Sequence, residues 1–243
     1  MKACLRFAAM VLILAPPTAW ARERAPLSWA GPYAGVNAGY AWADADLKWS
    51  NTSGVDDPAA IAERQNLSTR SLSSQNLTGG GQLGFNWQTG AIIFGIEADA
   101  NKLESTSTSS VALSSNFPDN SIAQSVTVHS LFTARGRIGM TFNDAFFYFT
   151  GGWAGGSVTF ADSSLYPISF QSVSVRPFLS GFVVGGGLEQ AISRYWSIKG
   201  EYLYTDLGSA SSSSCYVPNP TLCYTHSHDV TLQIVRAGLN FKF

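Results

Sequence analysis

The sequence predicts an all-β fold, namely an eight-stranded antiparallel up-and-down transmembrane β-barrel. Three observations predict it. An export signal precedes a chain poor in charge and rich in glycine and aromatic residues, apolar and polar residues alternate in about eight segments, and short turns separate long polar segments. Together these features are typical of an exported chain that crosses a membrane with strands.

Residues 1–21 have the organisation of a secretory signal peptide. Lys2 and Arg6 supply the positive start, residues 7–14 form a short apolar run, and residues 19–21 are an Ala-x-Ala cleavage site. The apolar run is shorter than the roughly 20 residues that a permanent membrane helix needs. We therefore expect cleavage after this segment.

The rest of the chain, 22–243, is expected to form one outer-membrane β-barrel domain. Cleavage lowers Lys plus Arg from 15 to 13 against 16 Asp plus Glu, so the net charge falls to about −3 and offers no footprint for nucleic acid. Charged residues make up 13% of the chain, aromatic residues another 13%, and there are 23 glycines, which is unusual for a soluble domain. No later segment has the apolar length of a membrane helix, which leaves a secreted soluble protein or a membrane barrel.

The first four strands are predicted from alternation with a period of two, because successive side chains of a strand point to opposite faces. Each run has about the 9 to 11 residues that a tilted membrane strand requires. In chain order, the predicted lipid-facing sets are Ala34, Val36, Ala38, Tyr40 and Trp42; Leu83, Phe85 and Trp87; Ile92, Phe94, Ile96, Ala98 and Ala100; and Phe132, Ala134, Ile138, Met140 and Phe142.

The last four strands repeat this alternation, although glycines between residues 151 and 156 blur it in the fifth. The predicted lipid-facing sets are Phe147, Phe149 and Trp153; Phe182, Val184, Leu188 and Ile192; Ile198, Tyr202 and Tyr204; and Val235, Ala237, Leu239, Phe241 and Phe243. The eighth strand alternates without a break to the last residue. Taken alone, this strand fits a soluble sandwich about as well as a barrel.

The connections differ in length in a regular way. Tight turns are predicted near Gly90, Asp144 and Arg194, and long polar loops at 43–76, 102–124, 161–177 and 208–228. Short turns at one end and long loops at the other are typical of the periplasmic and extracellular ends of outer-membrane barrels. An even number of strands also brings both ends of the barrel domain to the short-turn side.

Ionisable residues fall on the polar, inward face of the predicted strands. They are Glu97, Asp99, Arg135, Arg137, Glu189, Lys199, Glu201, Arg236 and Lys242. Charges in a dry interior must pair, and the interior of an eight-stranded barrel is just wide enough for side chains to fill. We therefore predict a salt-bridged network that plugs the barrel, in which Glu97 and Asp99 pair with Arg135 and Arg137 on the neighbouring strand.

Several separated motifs carry a resemblance to a known family. They are Trp29-x-Gly31-x-Tyr33-x-Gly35 with Gly39-Tyr40, the segment 80–87, Arg135-Gly136-Arg137-Ile138-Gly139, Thr150-Gly151-Gly152 and the segment 201–208. The chain resembles the small outer-membrane β-barrel proteins of the porin-family, opacity-type surface antigen class of Gram-negative bacteria, which is similar in architecture to the OmpA transmembrane domain. The resemblance implies an outer-membrane location and a terminal Phe243 that the outer-membrane assembly machinery reads as an insertion signal. Trp153 departs from the family pattern, which has a smaller residue there.

Two cysteines that are not part of the shared pattern lie in the last predicted loop. An oxidising compartment favours a disulfide between Cys215 and Cys223. His226 and His228 supply further metal-ligating groups nearby, but the spacing matches no established zinc motif. We therefore expect a disulfide and no metal site.

His129 and Ser130 are an adjacent pair, within a predicted strand region, that combines a base with a nucleophile. Successive strand residues point to opposite faces, so the pair cannot act together unless a bulge intervenes. We expect no catalytic residues and no cofactor.

Mixed charge in the first predicted loop favours contact with lipopolysaccharide head groups, and exposed loops could also bind an extracellular ligand. The charged residues are Asp44, Asp46, Lys48, Asp56, Asp57, Glu63, Arg64 and Arg70. The expected function is that of a structural barrel and surface antigen that supports envelope integrity and displays loops, with outer-membrane lipid as its partner. The alternatives are a small porin-like channel and an adhesin.

Overall fold

The computed structural model describes residues 27–51, 70–114, 117–166, 169–215 and 223–243. The expected signal peptide, residues 1–21, lies outside these ranges. No helix in the described ranges has the length and apolarity needed to cross a membrane. The strands are β1 Gly31–Asn51, β2 Arg70–Thr89, β3 Ile92–Ser114, β4 Phe117–Phe142, β5 Ala145–Tyr166, β6 Ser169–Val175, β7 Phe178–Ala191, β8 Trp196–Cys215 and β9 Cys223–Lys242.

The strands form one closed antiparallel barrel. Strands β1 to β5 each pair with the next strand in the chain, and so do β7 and β8. The pairs β5–β7 and β1–β9 complete the ring. Strands β6 and β7 follow one another along β5, which pairs with β6 through residues 160–166 and with β7 through residues 145–157. They are separated by Pro177, which has no backbone N–H to contribute to a ladder. The two strands share one position, so the predicted eight-stranded barrel is confirmed.

The three predicted tight turns are confirmed at one end of the barrel. Strand β3 begins three residues after β2 ends, and the β4–β5 and β7–β8 turns are similarly short. Gly90 and Asn143 have φ angles of 61° and 55°, in the left-handed region that glycine and asparagine tolerate best. The Phe243 N–H donates to the Pro32 carbonyl oxygen at 3.1 Å. The residue that follows β9 therefore lies beside the beginning of β1, at this same end of the barrel.

The predicted lipid-facing residues form an apolar belt around the outside of the barrel. Val36 is 62% exposed and Phe149 is 78% exposed, whereas Asn37, the neighbour of Val36 on β1, is buried. At the short-turn end the ring of Phe241 packs edge-on against Trp196, with ring centroids 5.0 Å apart. An exposed apolar surface of this extent, ending in aromatic rings, is typical of a barrel solvated by lipid.

The prediction of long polar loops is wrong where the structure describes these segments, because the strands continue through them. Strand β1 runs to Asn51 and β8 to Cys215. The polarity of the two faces is reversed where the strands continue beyond the apolar belt: polar residues now lie outside and apolar residues inside. In β1, Asp44 and Asp46 lie on the outer face, and the intervening Ala45 is buried inside. Strand pairing continues to satisfy the backbone groups, and the inward apolar side chains pack together. The barrel is therefore considerably taller than its membrane-facing belt.

Candidate functional site

The middle of the barrel interior holds a charged layer. It contains the predicted lumen residues Glu97, Asp99, Glu189 and Glu201 together with Arg135, Arg137, Lys199 and Arg236. Each is between 2% and 6% exposed, and the four acids balance the four bases. An interior charge layer with no net charge avoids the cost of an unpaired ion in a dry environment.

Glu97 on β3 lies at the centre of this layer. Its carboxylate accepts hydrogen bonds from Arg135 on β4 and, at 2.9 Å, from the Lys199 amine on β8. The guanidinium groups of Arg137 and Arg236 lie 3.5 and 3.7 Å from its oxygens. One carboxylate thus contacts four cations that come from three strands.

Pairing across the barrel accompanies pairing between neighbouring strands. Arg135 donates to Asp99 at 2.9 Å and to Glu201 at 3.1 Å. Arg236 on β9 donates to the same two acids, at 3.0 Å to Asp99 and 2.8 Å to Glu201. Arg137 takes Glu189 on β7 as a second partner at 3.1 Å. The predicted pairs with Glu97 and the pair of Asp99 with Arg135 occur, but no contact joins Asp99 to Arg137 among the described side chains.

Neutral side chains that the sequence reasoning missed complete the layer. The Tyr33 hydroxyl donates to Glu97 at 2.7 Å, and the Tyr148 hydroxyl donates to Glu201 at 3.0 Å. The Arg137 guanidinium carbon lies 4.4 Å from the Tyr33 ring centroid, within the range of a cation–π interaction. The position of Tyr33 on the polar face of β1 was the available signal. Tyr148 gave none, because glycines obscure the alternation of its strand.

A second, apolar layer fills the interior on the side away from the tight turns. Its buried residues are Ala41, Ala43, Ala45, Leu47, Leu72, Leu103, Val126, Val128, Leu131, Ala154, Val158, Phe160, Leu179, Val183, Leu203, Leu207, Val230, Leu232 and Ile234. Five of them lie in the segments predicted to be loops, namely Ala43, Ala45, Leu47, Leu72 and Leu103. The alternation in those segments was therefore not used to predict an inner face. The inverted alternation in β1 was the signal that could have found it.

The tight-turn end is closed by a smaller apolar cluster of Trp29, Ile93, Phe146 and Tyr148. The backbone N–H of Trp29 donates to the Gln88 side-chain oxygen at 2.7 Å, and the centroid of the Trp29 ring lies 5.7 Å from that of Phe146. Residues 27–30, which precede β1, therefore lie beneath the charged layer. Along the barrel axis, starting at the tight-turn end, the interior therefore has an apolar layer, the charged layer and the second apolar layer.

The last two residues lie at this rim. Lys242 is partly exposed and donates to the Ser28 carbonyl oxygen, so its predicted place in the interior network is wrong. The reason is its position at the end of β9, beyond the charged layer. Phe243 is exposed and packs edge-on against Phe241 at 5.3 Å. Its role in assembly stays a prediction.

The closed ring, the apolar belt and the filled interior correspond to a known protein family. The outer membrane protein beta-barrel domain family matches residues 7–243. The chain belongs to this family. It is 31% identical over 238 residues to the 31 kDa outer-membrane immunogenic protein of Brucella melitensis, an alignment that covers 97% of this chain and 92% of the relative. It is also 32% identical over 132 residues to the 22 kDa outer membrane protein of Rhizobium leguminosarum, covering 54% of this chain and 53% of the relative.

Solved structures agree on the fold of this outer-membrane barrel. The outer membrane protein OprG of Pseudomonas aeruginosa has a TM-score of 0.51 at 12% identity, with 88% of this chain and 96% of that chain covered. The outer membrane protease OmpT of Escherichia coli also has a TM-score of 0.51, at 11% identity, with 91% and 99% covered. The protein is an outer-membrane β-barrel, and in such barrels the short turns face the periplasm. The continued strands at the other end therefore extend beyond the cell surface.

The outer-membrane barrel has a bulge at the His129–Ser130 pair, where the β4–β5 register shifts between Val128 and Ser130. The bulge removes the geometric objection to a joint role for the two residues. However, the His129 Nε2 atom lies 2.9 Å from the Thr159 hydroxyl, with which it forms a hydrogen bond. The histidine is thus engaged with a different hydroxyl from the one that a catalytic pair would require.

Cys215 and Cys223 are directly opposite each other in the register of β8 and β9. This backbone placement is compatible with the predicted disulfide across the tip of the hairpin, which stays a prediction. Within the described part of the barrel, no three metal-ligating side chains come together. Residues 56, 57, 63 and 64 of the first predicted loop lie outside the described ranges.

Proposed function

We propose that this outer-membrane barrel is a closed structural protein that stabilises the envelope and presents its extended hairpins at the cell surface. The observation that carries the proposal is the three-layered interior. Its charged layer has no net charge and lies between apolar layers above and below it.

Each layer opposes the passage of ions for a different physical reason. An ion in the charged layer would have to displace hydrogen-bonded partners and leave buried charges uncompensated. An ion in the apolar layer would lose most of its hydration among side chains that are mainly apolar, which is how apolar constrictions close pores. The proposal does not include catalysis, because the His129 ring is held by Thr159.

The closed interior predicts that the purified protein, inserted into planar lipid bilayers, will show no steady open conductance. A general diffusion porin prepared in the same detergent serves as the positive control for insertion. Long-lived openings of uniform size would overturn the proposal and favour a small channel.

Surface display predicts opposite labelling of the two ends of the barrel on intact cells. In a background with Cys215 and Cys223 replaced by serine, Ser73→Cys should react with a membrane-impermeant maleimide, because Ser73 is exposed on the extended part of β2. Asn143→Cys in the β4–β5 turn should react only after the outer membrane is permeabilised. Labelling of Asn143→Cys on intact cells would contradict the proposed orientation.

A further inference from the structure

An aromatic patch lies on the outer face of the barrel, near the edge of the apolar belt that is farther from the tight turns. This edge is called the upper edge. The patch consists of Phe132 on β4, Trp153 on β5 and Phe178 on β7, which are each more than 40% exposed. The Phe178 ring centroid lies 6.5 Å from that of Phe132 and 6.3 Å from that of Trp153. Gly155 lies beneath, and a β-carbon there would be only 2.5 Å from the Trp153 ring. The absence of a side chain at this glycine lets the rings lie flat on the sheet.

A polar row with two cations lies directly above this patch. Lys102 on β3 pairs in register with Ser130 on β4, which pairs with Ser157 on β5. The Arg176 Nε atom donates to the Ser157 hydroxyl at 3.0 Å. Because neighbouring strands are about 4.8 Å apart, Lys102 and Ser157 are separated by about 10 Å across the row. Both cations lie where the outer surface changes from apolar to polar.

Lys102 also contacts Glu104, with its amine 3.0 Å from the carboxylate. Both side chains are well exposed, and exposed pairs of this kind contribute little free energy. A ligand phosphate therefore has no strong intramolecular competitor at Lys102.

Hydroxyl groups cover the surface above the polar row. Thr106 on β3 and Thr127 on β4 are linked by a 3.0 Å hydrogen bond, and Thr108 donates to Ser125 at 3.5 Å. Hydroxyls on an exposed sheet can donate to and accept from a sugar without a charge requirement. The outer surface of β3, β4 and β5, together with the adjoining Arg176 and Phe178, is called the β3–β5 face. From the membrane outward, this face presents an aromatic zone, a cationic zone and a hydroxyl zone.

The opposite face of the barrel differs in charge where its strands continue beyond the apolar belt. On β8, β9, β1 and β2, the described outward ionisable residues beyond the belt are Asp206, Asp229, Asp44, Asp46 and Lys48. Lys48 already has a partner, because its amine donates to Asp229 at 2.8 Å, an interaction that raises the pKa of the lysine. This face carries four acids and one base among the described side chains and would repel a phosphate.

We propose that the β3–β5 face is a binding site for one phosphorylated glycolipid of the outer leaflet. Its acyl chains lie against the Phe132, Trp153 and Phe178 patch, its phosphates contact Lys102 and Arg176, and its sugars contact the hydroxyl zone. The three zones follow the order of the three parts of such a lipid. The inference rests on the outward orientation of the extended strands, but it does not require a closed interior.

The test measures the affinity of the detergent-solubilised full barrel for lipid A bearing two phosphates, by native mass spectrometry. The double variant Lys102→Ser/Arg176→Ser is expected to bind about 30-fold more weakly, because each basic side chain at a charged lipid surface contributes about a factor of five. Lys48→Ser, which removes a cation from the opposite face, should bind within about twofold of the wild type by the same reasoning. Heat-dependent gel mobility verifies that each variant is folded.

Two further probes separate a lipid site from a site for free phosphate. Dephosphorylated lipid A should bind the wild type as weakly as lipid A binds the double variant, and Trp153→Ala should weaken lipid A binding but leave inorganic pyrophosphate unaffected. Unchanged affinity in the double variant, an equal loss in Lys48→Ser, or pyrophosphate binding as tight as that of lipid A would each overturn the proposal. A conducting barrel would overturn the closed-interior proposal alone, so the two failures are distinguishable.

Discussion

Replacement of Glu97 by methionine is expected to lower the free energy of unfolding of the barrel by about 3 to 5 kcal/mol. Glu97 lies at the centre of the charged layer, where it contacts Arg135, Arg137, Lys199 and Arg236. Its removal leaves an excess positive charge in a layer whose charged side chains are at most 6% exposed. The measurement is urea unfolding of the lipid-inserted protein, followed by tryptophan fluorescence.

Two controls make the result specific to the buried charge. Glu104→Met removes an acid from the same strand that is 64% exposed, and it should cost less than about 1 kcal/mol because exposed ion pairs are screened. The double variant Glu97→Met/Lys199→Met restores charge balance and should recover part of the loss, since a buried pair can often be replaced by apolar residues. A double variant that is less stable than both single variants would contradict a role for charge balance.

Leu232→Ala is expected to lower the free energy of unfolding by about 2 to 5 kcal/mol. Leu232 is 0% exposed in the apolar layer, where it is enclosed by inward side chains of several strands. Truncation therefore removes apolar contact and also leaves a cavity that the closed barrel cannot collapse to fill. The same urea unfolding measurement applies.

Leu239→Ala on the same strand is the matched control, because Leu239 is 38% exposed on the lipid face. Mobile lipid chains can fill the space that this truncation leaves, so only the transfer part of the cost remains. We therefore expect a clearly smaller loss than for Leu232→Ala. Equal losses at the two positions would show that the interior above the charged layer is not tightly packed.

In the fifth strand, β5, the alternation of residues predicted the lipid-facing side chains but not the inward ones. The alternation assigns Phe147, Phe149 and Trp153 to the lipid face in spite of the glycines around them, and all three are exposed there. The alternation does not identify the inward residues of that strand. Phe146 and Tyr148 are buried instead at the periplasmic end and in the charged layer.

The long polar segments show where local pattern misled the prediction. Serine, threonine and aspartate are frequent in loops, so 102–124 was predicted as a loop although β3 and β4 pair through most of it. The polar composition of these segments reflects only the residues on the outer face of the extended strands, which is in contact with water. The inner face, which carries Leu103 in this segment, is recognisable only from its contacts with side chains of other strands.

The sequence by itself determined the number of membrane strands, their lipid-facing residues and the presence of acids and bases on the inner face. These are properties of single strands, since a period of two assigns each residue to a face without knowledge of its neighbours. Only the tertiary structure decided that Asp99 pairs with Arg236, that Trp29 closes the periplasmic end, and that apolar side chains seal the upper interior. The physical reason is that these contacts cross the barrel. They depend on closure and on the relative register of all its strands, which no single strand encodes.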